Sequence, residues 1–448
     1  WLKRSEIQPQ GSSVLAVVRS NMTSGHVRPF RIKLGEVFPN FECNTTEGCF
    51  SFHDFLNRAP AWTVLFSYAQ DLDSATKAEL VECESLCDRL RTLGVKLVGL
   101  SCGALSKQAE WSREVLSASG SSGSSLSFPL IADEDRRVTE QLGILDPSTV
   151  DERGSPLAAG AVFVIGPSKT NRCSVLYPAN VGRTFVEFVR CIDSLFLTQG
   201  MILATPANWE AGGRVVVAPG MASNVARERY SNFEVTALPS GKDYLRFVDC
   251  PDLSKFTAPD GIEAPGPVDS GALDFRAQLG TSFPDFACNS THGSFTFHEF
   301  LDREPRWTML FSHPKDFTPV CTTELGTCQA LVAEFLRRGV KLIGLSCDSV
   351  ESHKAWSKDI LCARGLPGET LDFPLIGDED RSIAASLGML DPLEIDDVGD
   401  PMPARSLFVI DALKKLRMMV TYPATTGRNF GEILRVVDAI LATEIAEK

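Results

Sequence analysis

With 448 residues, of which 44% are hydrophobic and 23% charged, the chain has the composition of a globular protein and the length of two or three domains. Its formal net charge of −13 argues against a surface that binds nucleic acid or an anionic membrane. No apolar run approaches the roughly 20 residues that a membrane-spanning helix needs.

The predicted elements, taken in chain order, form two matching series. Short apolar runs bounded by Gly, Pro or Asp are typical of buried strands, and the patterns between them indicate helices. The first series has strands at 62–66, 95–100, 128–131 and 161–165, with helices at 78–93 and 107–116. The second has strands at 307–311, 340–345, 373–376 and 407–410, with helices at 353–363 and 429–441. Alternating strands and helices predict an α/β fold around a mixed sheet.

The chain repeats itself at a constant offset. The string LGTSFPDF that begins at Leu279 matches LGEVFPNF at Leu34, 245 residues earlier, and the offset is kept to the last helix. A period of this length indicates a duplicated domain. We define the first copy as residues 30–198 and the second copy as residues 276–448.

Three further segments are predicted from composition. Residues 1–29 form an N-terminal extension, residues 199–253 follow the first copy only, and the Pro- and Gly-rich residues 254–275 form a linker. A Gly/Ser-rich loop at 117–127 is expected to be flexible.

A reactive cysteine is predicted in the second copy. Cys321 follows a strand and a loop that contains Pro314 and Pro319, and it opens a helical pattern with Glu324 in its first turn. Unpaired N–H groups and the positive end of the helix dipole favour the thiolate form, which is the nucleophile. Thr318 offers a hydroxyl to a small polar substrate. This local pattern alone leaves open an inert cysteine at a helix start.

The string FTPVCTTEL at 317–325 resembles the active-site motif of the peroxiredoxins, and the longer string from Ser312 is similar to their 1-Cys class. The resemblance covers residues 279–441 closely and includes LGMLDP at 387–392 and YPATTGRNF at 422–430. It covers 34–198 more loosely, and 199–253 resembles the C-terminal arm of 1-Cys peroxiredoxins.

This resemblance implies an α/β architecture of two tandem thioredoxin-like domains, the first with a C-terminal arm and the second without one. Cys321 would attack the O–O bond of a peroxide. Thr318 and Arg405 would assist it, with Arg405 placed before the last-but-one strand. The pocket would further contain Pro314, Pro319, His313, Glu324 and Arg428. No external cofactor and no metal are expected, since the cysteine is itself the redox centre.

No dedicated resolving cysteine is predicted. Cys328 lies two turns along the same helix, about 10 Å from Cys321, which is too far for a disulfide without unwinding. Cys347 and Cys362 are expected in the core. An external thiol such as glutathione or a thioredoxin-type protein would therefore complete the cycle, although a partner cysteine from the first copy stays open.

The first copy is predicted to have lost the site and to be structural. Glu79 and Arg183 remain, as equivalents of Glu324 and Arg428. The other site positions are replaced: Thr76 for the cysteine, Tyr68 for the histidine, Ala69 and Ser74 for the prolines, Asp73 for Thr318, and Gly160 for Arg405. We expect the two copies to form an internal pseudo-dimer, with the arm at 199–253 over the pocket of the second copy.

The leading prediction is a thiol-dependent peroxidase that reduces hydrogen peroxide and small alkyl hydroperoxides. The alternative is a redox-controlled binding protein or chaperone in which Cys321 is a sensor. No nucleic-acid or membrane partner is expected, and a higher oligomer stays open. Thirteen cysteines without a CxxC pair or zinc-type spacing favour a reducing compartment, hence the cytoplasm, or an organelle if a targeting segment precedes Trp1.

Overall fold

The computed structural model describes residues 32–69, 74–120, 123–199, 202–253 and 277–446. The predicted extension 1–29, the linker 254–275 and Asp73 lie outside the described residues. Within the described ranges, no helix has the length and apolar character needed to cross a membrane.

The first copy alternates strands and helices as predicted. Its elements are β1 (Glu42–Thr45), β2 (Gly48–Ser51), α1 (Phe52–Leu56), β3 (Trp62–Ser67), α2 (Ser74–Thr92), β4 (Val95–Ser101), α3 (Leu105–Ser119), β5 (Leu130–Ala132), α4 (Arg137–Gln141), β6 (Leu145–Val150), β7 (Pro156–Ala158), β8 (Gly160–Ile165), β9 (Asn171–Tyr177) and α5 (Phe185–Thr198). The predicted loop at 117–127 begins later than expected, because α3 continues to Ser119 and ends at Gly120 in the left-handed conformation.

Residues 202–253 form a separate small unit. It contains β10 (Leu203–Ala204), β11 (Val215–Val217), α6 (Ser223–Arg229), β12 (Glu234–Val235) and β13 (Arg246–Val248). The strands make a four-stranded antiparallel sheet in the order β10-β11-β13-β12. Trp209, Val215 and Val217 are buried in its own core. We call this unit the arm.

The second copy repeats the first. Its elements are β14 (Ala287–Ser290), β15 (Gly293–Thr296), α7 (Phe297–Leu301), β16 (Trp307–Ser312), α8 (Pro319–Arg337), β17 (Val340–Ser346), α9 (Val350–Ala363), β18 (Leu375–Gly377), α10 (Ser382–Ser386), β19 (Leu390–Ile395), β20 (Pro401–Pro403), β21 (Arg405–Ile410), β22 (Leu416–Tyr422) and α11 (Phe430–Ala446). Arg405 is the first residue of its strand, whereas the sequence analysis placed it before the strand.

Within the described residues, both copies contribute to one fourteen-stranded sheet in the order β15-β14-β18-β17-β16-β21-β22-β9-β8-β3-β4-β5-β1-β2. The order is palindromic, because each copy contributes the same seven strands. The copies join where β22 pairs antiparallel with β9, with Val420 opposite Val175. Tyr177 donates to Glu432 across this junction, and Tyr422 donates to Glu187 at the matching place.

Side chains alternate between the two faces of the sheet, since successive residues of a strand point in opposite directions. Met309 and Phe311 of β16 pack into a core that contains helices α2, α5, α8 and α11, whereas Leu310 packs into a second core on the other face. At the C-terminal end of β16 the chain enters the loop that precedes α8.

Candidate active site

The site is built on the first turn of α8. Thr318 has an extended backbone and occupies the N-cap position without a capping side-chain bond. Pro319 takes the first helical position, where its fixed φ is already suitable and its missing N–H costs nothing. The N–H of Thr322 closes the turn on the Thr318 carbonyl at 3.0 Å. Cys321 lies in this first turn and is completely buried. The structure thus places Cys321 at the start of α8, as the sequence predicted, and buries it.

Arg405 meets Cys321 from the neighbouring strand. Its Nη1 lies 3.4 Å from the Cys321 sulfur and 2.6 Å from Glu324 Oε2, and its Nε donates to the Ala424 carbonyl at 2.8 Å. Burial works against the charge of this guanidinium, but Glu324 and Cys321 outweigh that cost and raise the pKa of Arg405. The structure thus holds a fixed cation against the thiol.

Glu324 and Arg428 complete the charged centre. Glu324 accepts from the Arg428 backbone N–H at 2.8 Å and from its Nε at 2.9 Å, and Arg428 also donates to the Ser406 carbonyl. Burial opposes ionisation of Glu324, yet the two arginines hold the pKa of its carboxyl below the usual range. One carboxylate therefore orients both arginines.

The predicted loop residues line the same region. Pro314 and His313 are buried directly after β16, and Pro319 is buried at the helix start. Phe317 has a φ of 53°, a left-handed backbone conformation that side chains other than glycine seldom adopt. The Thr318 hydroxyl donates to the Lys315 carbonyl at 2.8 Å, so this bond must be exchanged before it can donate to a substrate.

The sequence analysis missed two side chains behind the pocket. Asp316 accepts from His313 Nε2 at 3.0 Å and from His353 Nδ1 at 2.8 Å. These three residues are the group within the described ranges whose ligand atoms could surround a metal ion, lying within 4.8 Å of one another. In the structure their facing atoms hydrogen-bond to one another, and the expected absence of a metal stays a prediction. A comparison of the two copies could have revealed His353, since Gln108 replaces it in the first copy.

The comparisons with known proteins point to one family. The AhpC/TSA family pattern matches residues 34–171 and again residues 279–419. The chain belongs to the AhpC/TSA family. Peroxiredoxin-6 of Rattus norvegicus is 56% identical over 166 residues, which are 37% of this chain and 73% of that protein. Peroxiredoxin-6 of Homo sapiens is 55% identical over 171 residues, 38% of this chain and 75% of that protein.

Two solved structures of the family are also similar. A cysteine-to-serine variant of Peroxiredoxin 6 from Arenicola marina is 44% identical with a TM-score of 0.47, covering 49% of this chain and 99% of that one. A yeast mitochondrial 1-Cys peroxiredoxin is 29% identical with a TM-score of 0.43, with the same coverage. The chain is a peroxiredoxin with two tandem thioredoxin-fold domains, and its enzymatic class is thiol-dependent peroxidase.

The arm lies against this peroxiredoxin site. Tyr244 donates to Asp359 of α9 at 3.0 Å, and its hydroxyl also accepts from Trp356 Nε1 at 3.2 Å. Thr322, the residue after the cysteine, lies 3.3 Å from the same hydroxyl. The Lys242 ammonium sits 3.4 Å from the centre of the Phe317 ring. The arm thus contacts both the helix and the loop that hold Cys321, while its correspondence to the family's C-terminal arm stays a prediction.

The other cysteines of the second copy differ in exposure. Cys328 is fully buried, and burial raises the pKa of its thiol far above the usual range, which disfavours the thiolate needed for exchange. Cys347 is partly buried. The prediction that Cys362 lies in the core is wrong: it is exposed near the end of α9. A helical pattern alone did not reveal which side of that last turn faces solvent.

The equivalent place in the first copy keeps the carboxylate and one arginine. Arg183 Nη2 lies 2.5 Å from Glu79 Oε2, and Arg183 Nη1 donates to the carbonyls of Ser67 and Ala161. Thr76 occupies the position of the cysteine, and Gly160 provides no guanidinium. A cavity of about 280 Å³ lies in this region, lined in part by Thr76, Gly160 and Arg183.

Proposed function

We propose that the second copy reduces hydrogen peroxide and small alkyl hydroperoxides at Cys321, and that the first copy is catalytically inactive and structural. One observation carries the proposal: a buried thiol in the first turn of α8 lies 3.4 Å from an arginine that a carboxylate and a carbonyl hold in place. The family supports the class of reaction, and the geometry supports the assignment to one copy.

In the proposed step, the Cys321 thiolate attacks the terminal oxygen of ROOH. An S–O bond forms and the O–O bond breaks, so the sulfur is oxidised to a sulfenic acid and RO⁻ leaves, taking a proton to become ROH. Arg405 stabilises the negative charge that moves from sulfur to the leaving oxygen. Since its guanidinium is already held by Glu324 and Ala424, little reorganisation is needed during the reaction.

The charges of the site support this division of roles. In the second copy Glu324 pairs with two arginines, Arg405 and Arg428, and the thiolate of the proposed reaction would supply the second negative charge. In the first copy Glu79 and Arg183 balance each other without a thiolate. A threonine hydroxyl cannot be oxidised by peroxide in this way, so the first copy has neither the nucleophile nor the cation that supports it.

Burial supports small substrates and an external reductant. Cys321 has no exposed surface, which favours hydrogen peroxide and short alkyl hydroperoxides. A first external thiol would then displace water from the sulfenic acid to form a mixed disulfide, and a second would release the Cys321 thiol. The yeast mitochondrial 1-Cys relative is resolved through glutathione and thioredoxin systems, and we propose the same class of reductant here.

The test is a single turnover. Fully reduced protein is mixed with one equivalent of hydrogen peroxide and a sulfenic-acid trap, and the adduct is located by peptide mass. Rapid labelling at Cys321 alone is expected. A disulfide between Cys321 and another cysteine would contradict the external reductant. Slow or scattered labelling, or oxidation without repeated turnover when a thiol donor is added, would favour the sensor over the enzyme.

A further inference from the structure

The surroundings of His353 determine where its protons lie. Its Nδ1 is 2.8 Å from Asp316 Oδ2, and its Nε2 is 3.1 Å from the Ile376 carbonyl oxygen. A carbonyl oxygen only accepts hydrogen bonds, and so does an ionised carboxylate. Both ring nitrogens must therefore donate, which makes His353 an imidazolium cation. Burial opposes this charge, but Asp316 raises the pKa of His353 above its ordinary value.

Asp316 is correspondingly an anion. Besides the proton from His353, its carboxylate accepts from Ser352 Oγ at 2.7 Å and lies 3.0 Å from His313 Nε2. Although burial works against ionisation, the two histidines hold the pKa of Asp316 well below its usual range. Because the carboxylate accepts, His313 must carry its proton on Nε2.

The second ring nitrogen of His313, Nδ1, then carries no proton and can only accept a hydrogen bond. Burial lowers the pKa of His313, so the ring is neutral, and Nδ1 has no hydrogen-bond partner among the described residues. His313 directly follows Ser312, whose hydroxyl donates to the Ala404 carbonyl and accepts from the Ser406 N–H on either side of Arg405. The backbone that carries His313 is thus anchored beside the start of β21, the strand of Arg405, while its Nδ1 remains an unused acceptor.

The first copy shows which hydrogen bond of this arrangement the fold needs and which residues it does not need. Gln108 replaces His353 and donates to the Ile131 carbonyl at 3.0 Å, the equivalent of the Ile376 carbonyl. The fold therefore keeps this hydrogen bond without a histidine. The copy that lacks the cysteine also lacks both histidines, since Tyr68 stands in place of His313.

We propose that His353 is a positioning residue of the peroxidase site: with Asp316 it fixes the proton of His313 on Nε2, so that Nδ1 can accept a hydrogen bond from the O–H of the hydroperoxide. This inference rests on the proposed function for its substrate. Without the His353 cation, Asp316 would draw a second proton onto His313, and the acceptor would be lost at neutral pH.

Other ionisable groups around the pair do not supply this cation. Asp348 faces both histidines from the loop after β17, and its Oδ2 accepts from the Asp316 N–H at 2.9 Å. Tyr244 and Asp359 approach only through Trp356. Asp348, Asp359 and Tyr244 cannot carry a positive charge, so a proton lost from His353 is expected to be replaced on His313.

The experiment uses the full chain labelled with ¹⁵N-histidine. The chain has only six histidines, so their side-chain signals can be assigned individually. Side-chain nitrogen shifts are expected to show His353 protonated on both nitrogens and His313 protonated on Nε2 alone. In His353→Gln, which the first copy shows to be compatible with the fold, His313 should become doubly protonated. The rate of reaction with hydrogen peroxide at neutral pH should fall on the order of 10²-fold.

The matched control is His298→Gln. His298 bonds the Phe283 carbonyl, and His53 makes the same contact in the first copy, so its role is structural in both. It should leave the rate and the shifts of His313 unchanged. A neutral His353 in the wild type, full activity of His353→Gln, or one tightly bound metal ion per chain would overturn the inference. A wild type that does not react with peroxide would instead overturn the proposed function, while the shifts still decide the protonation states.

Discussion

The two copies share a sheet, a helix arrangement and a buried carboxylate–arginine pair, and they differ in the groups to which we assign the reaction. Glu79 with Arg183 and Glu324 with Arg428 make the same contacts to the backbone. This pair therefore belongs to the fold. The thiol and Arg405 occur in one copy only. Their joint replacement by Thr76 and Gly160 removes the guanidinium together with the thiol that it contacts, and leaves Glu79 paired with Arg183.

The copies also differ on the face that meets the arm. In the second copy Thr322, Trp356 and Asp359 bind Tyr244 of the arm. The equivalent residues of the first copy are Lys77, Trp111 and Glu114. Lys77 pairs with Glu114 at 3.1 Å, and Trp111 Nε1 has no partner within the described residues. Among the described residues, the arm therefore makes these hydrogen bonds to the copy that carries the cysteine.

The largest effect is expected when Cys321 and its equivalent in the first copy, Thr76, are each replaced. Cys321→Ser should lower peroxide reduction by about four orders of magnitude or more, because the nucleophile is gone. Thr76→Ser, the matched change in the first copy, should leave the rate unchanged. Stopped-flow measurement of peroxide consumption checks both. Residual activity in Cys321→Ser that disappears on changing the first copy would contradict an inactive first copy.

Arg405→Gly gives the second copy the residue that the first copy has at this position. Glu324 keeps Arg428, as Glu79 keeps Arg183, so the protein should fold. The reaction of Cys321 with peroxide should slow by about 10²- to 10³-fold, since a preorganised cation is lost from the transition state. The rate is measured by stopped flow, with the thermal transition as control. An unchanged rate would mean that Arg405 is a structural residue.

The reverse change attempts to rebuild the first copy. In a Cys321→Ser background, Thr76→Cys alone should react slowly, and adding Gly160→Arg should raise sulfenic-acid trapping at position 76 about tenfold or more. An added Cβ at Gly160 would meet Arg183 at 3.6 Å, an ordinary contact. Peptide mass analysis after timed exposure gives the rates. Equal labelling with and without the arginine would show that the loop after β3, where Tyr68 differs from His313, limits reactivity.

The arm can be tested by removing a single hydroxyl. Tyr244→Phe leaves Asp359 and Trp356 without one buried partner each, which should lower the free energy of unfolding by about 1–3 kcal/mol. Tyr230→Phe is the control within the arm, because its hydroxyl has no hydrogen-bond partner among the described residues. Denaturant titration compares the two. Similar effects of both changes would argue against a specific contact between the arm and the second copy.

The smallest expected difference between the copies concerns the pH dependence of stability at two equivalent buried aspartates, Asp378 and Asp133. Burial raises the pKa of Asp378 to about 6, although it accepts the N–H groups of Ile383 and Ala384. In the first copy Asp133 also accepts from the Thr139 hydroxyl at 2.9 Å. A folded pKa above the unfolded value near 3.9 means that stability is lost as the pH rises through about 6.

Ala384→Thr would add the missing hydroxyl to Asp378. It should stabilise the ionised carboxylate, with a gain of about 1 kcal/mol above pH 6 that disappears below it. Thr139→Ala should have the opposite effect. Unfolding transitions at several pH values check the prediction, and a gain that does not depend on pH would point to packing instead.

Apolar runs and the repeat located the strands and most helices directly, whereas Cys321, Arg405 and Glu324 were grouped through the resemblance to the peroxiredoxins. Sequence reasoning assigned no site role to His353 or Asp316, since their relation arises only when the start of α9 packs beside the loop after β16. It also misplaced Cys362, because the side of a terminal helical turn that faces solvent depends on neighbouring elements.

The junction between β22 and β9 places both halves of the paired sheet on one polypeptide. Two separate subunits would associate according to their concentration, whereas here pairing is an intramolecular event with an effective concentration set by the connecting chain. Dilution therefore should not separate the halves. Each site position in one half can change without the same change in the other, which a dimer of identical chains cannot do.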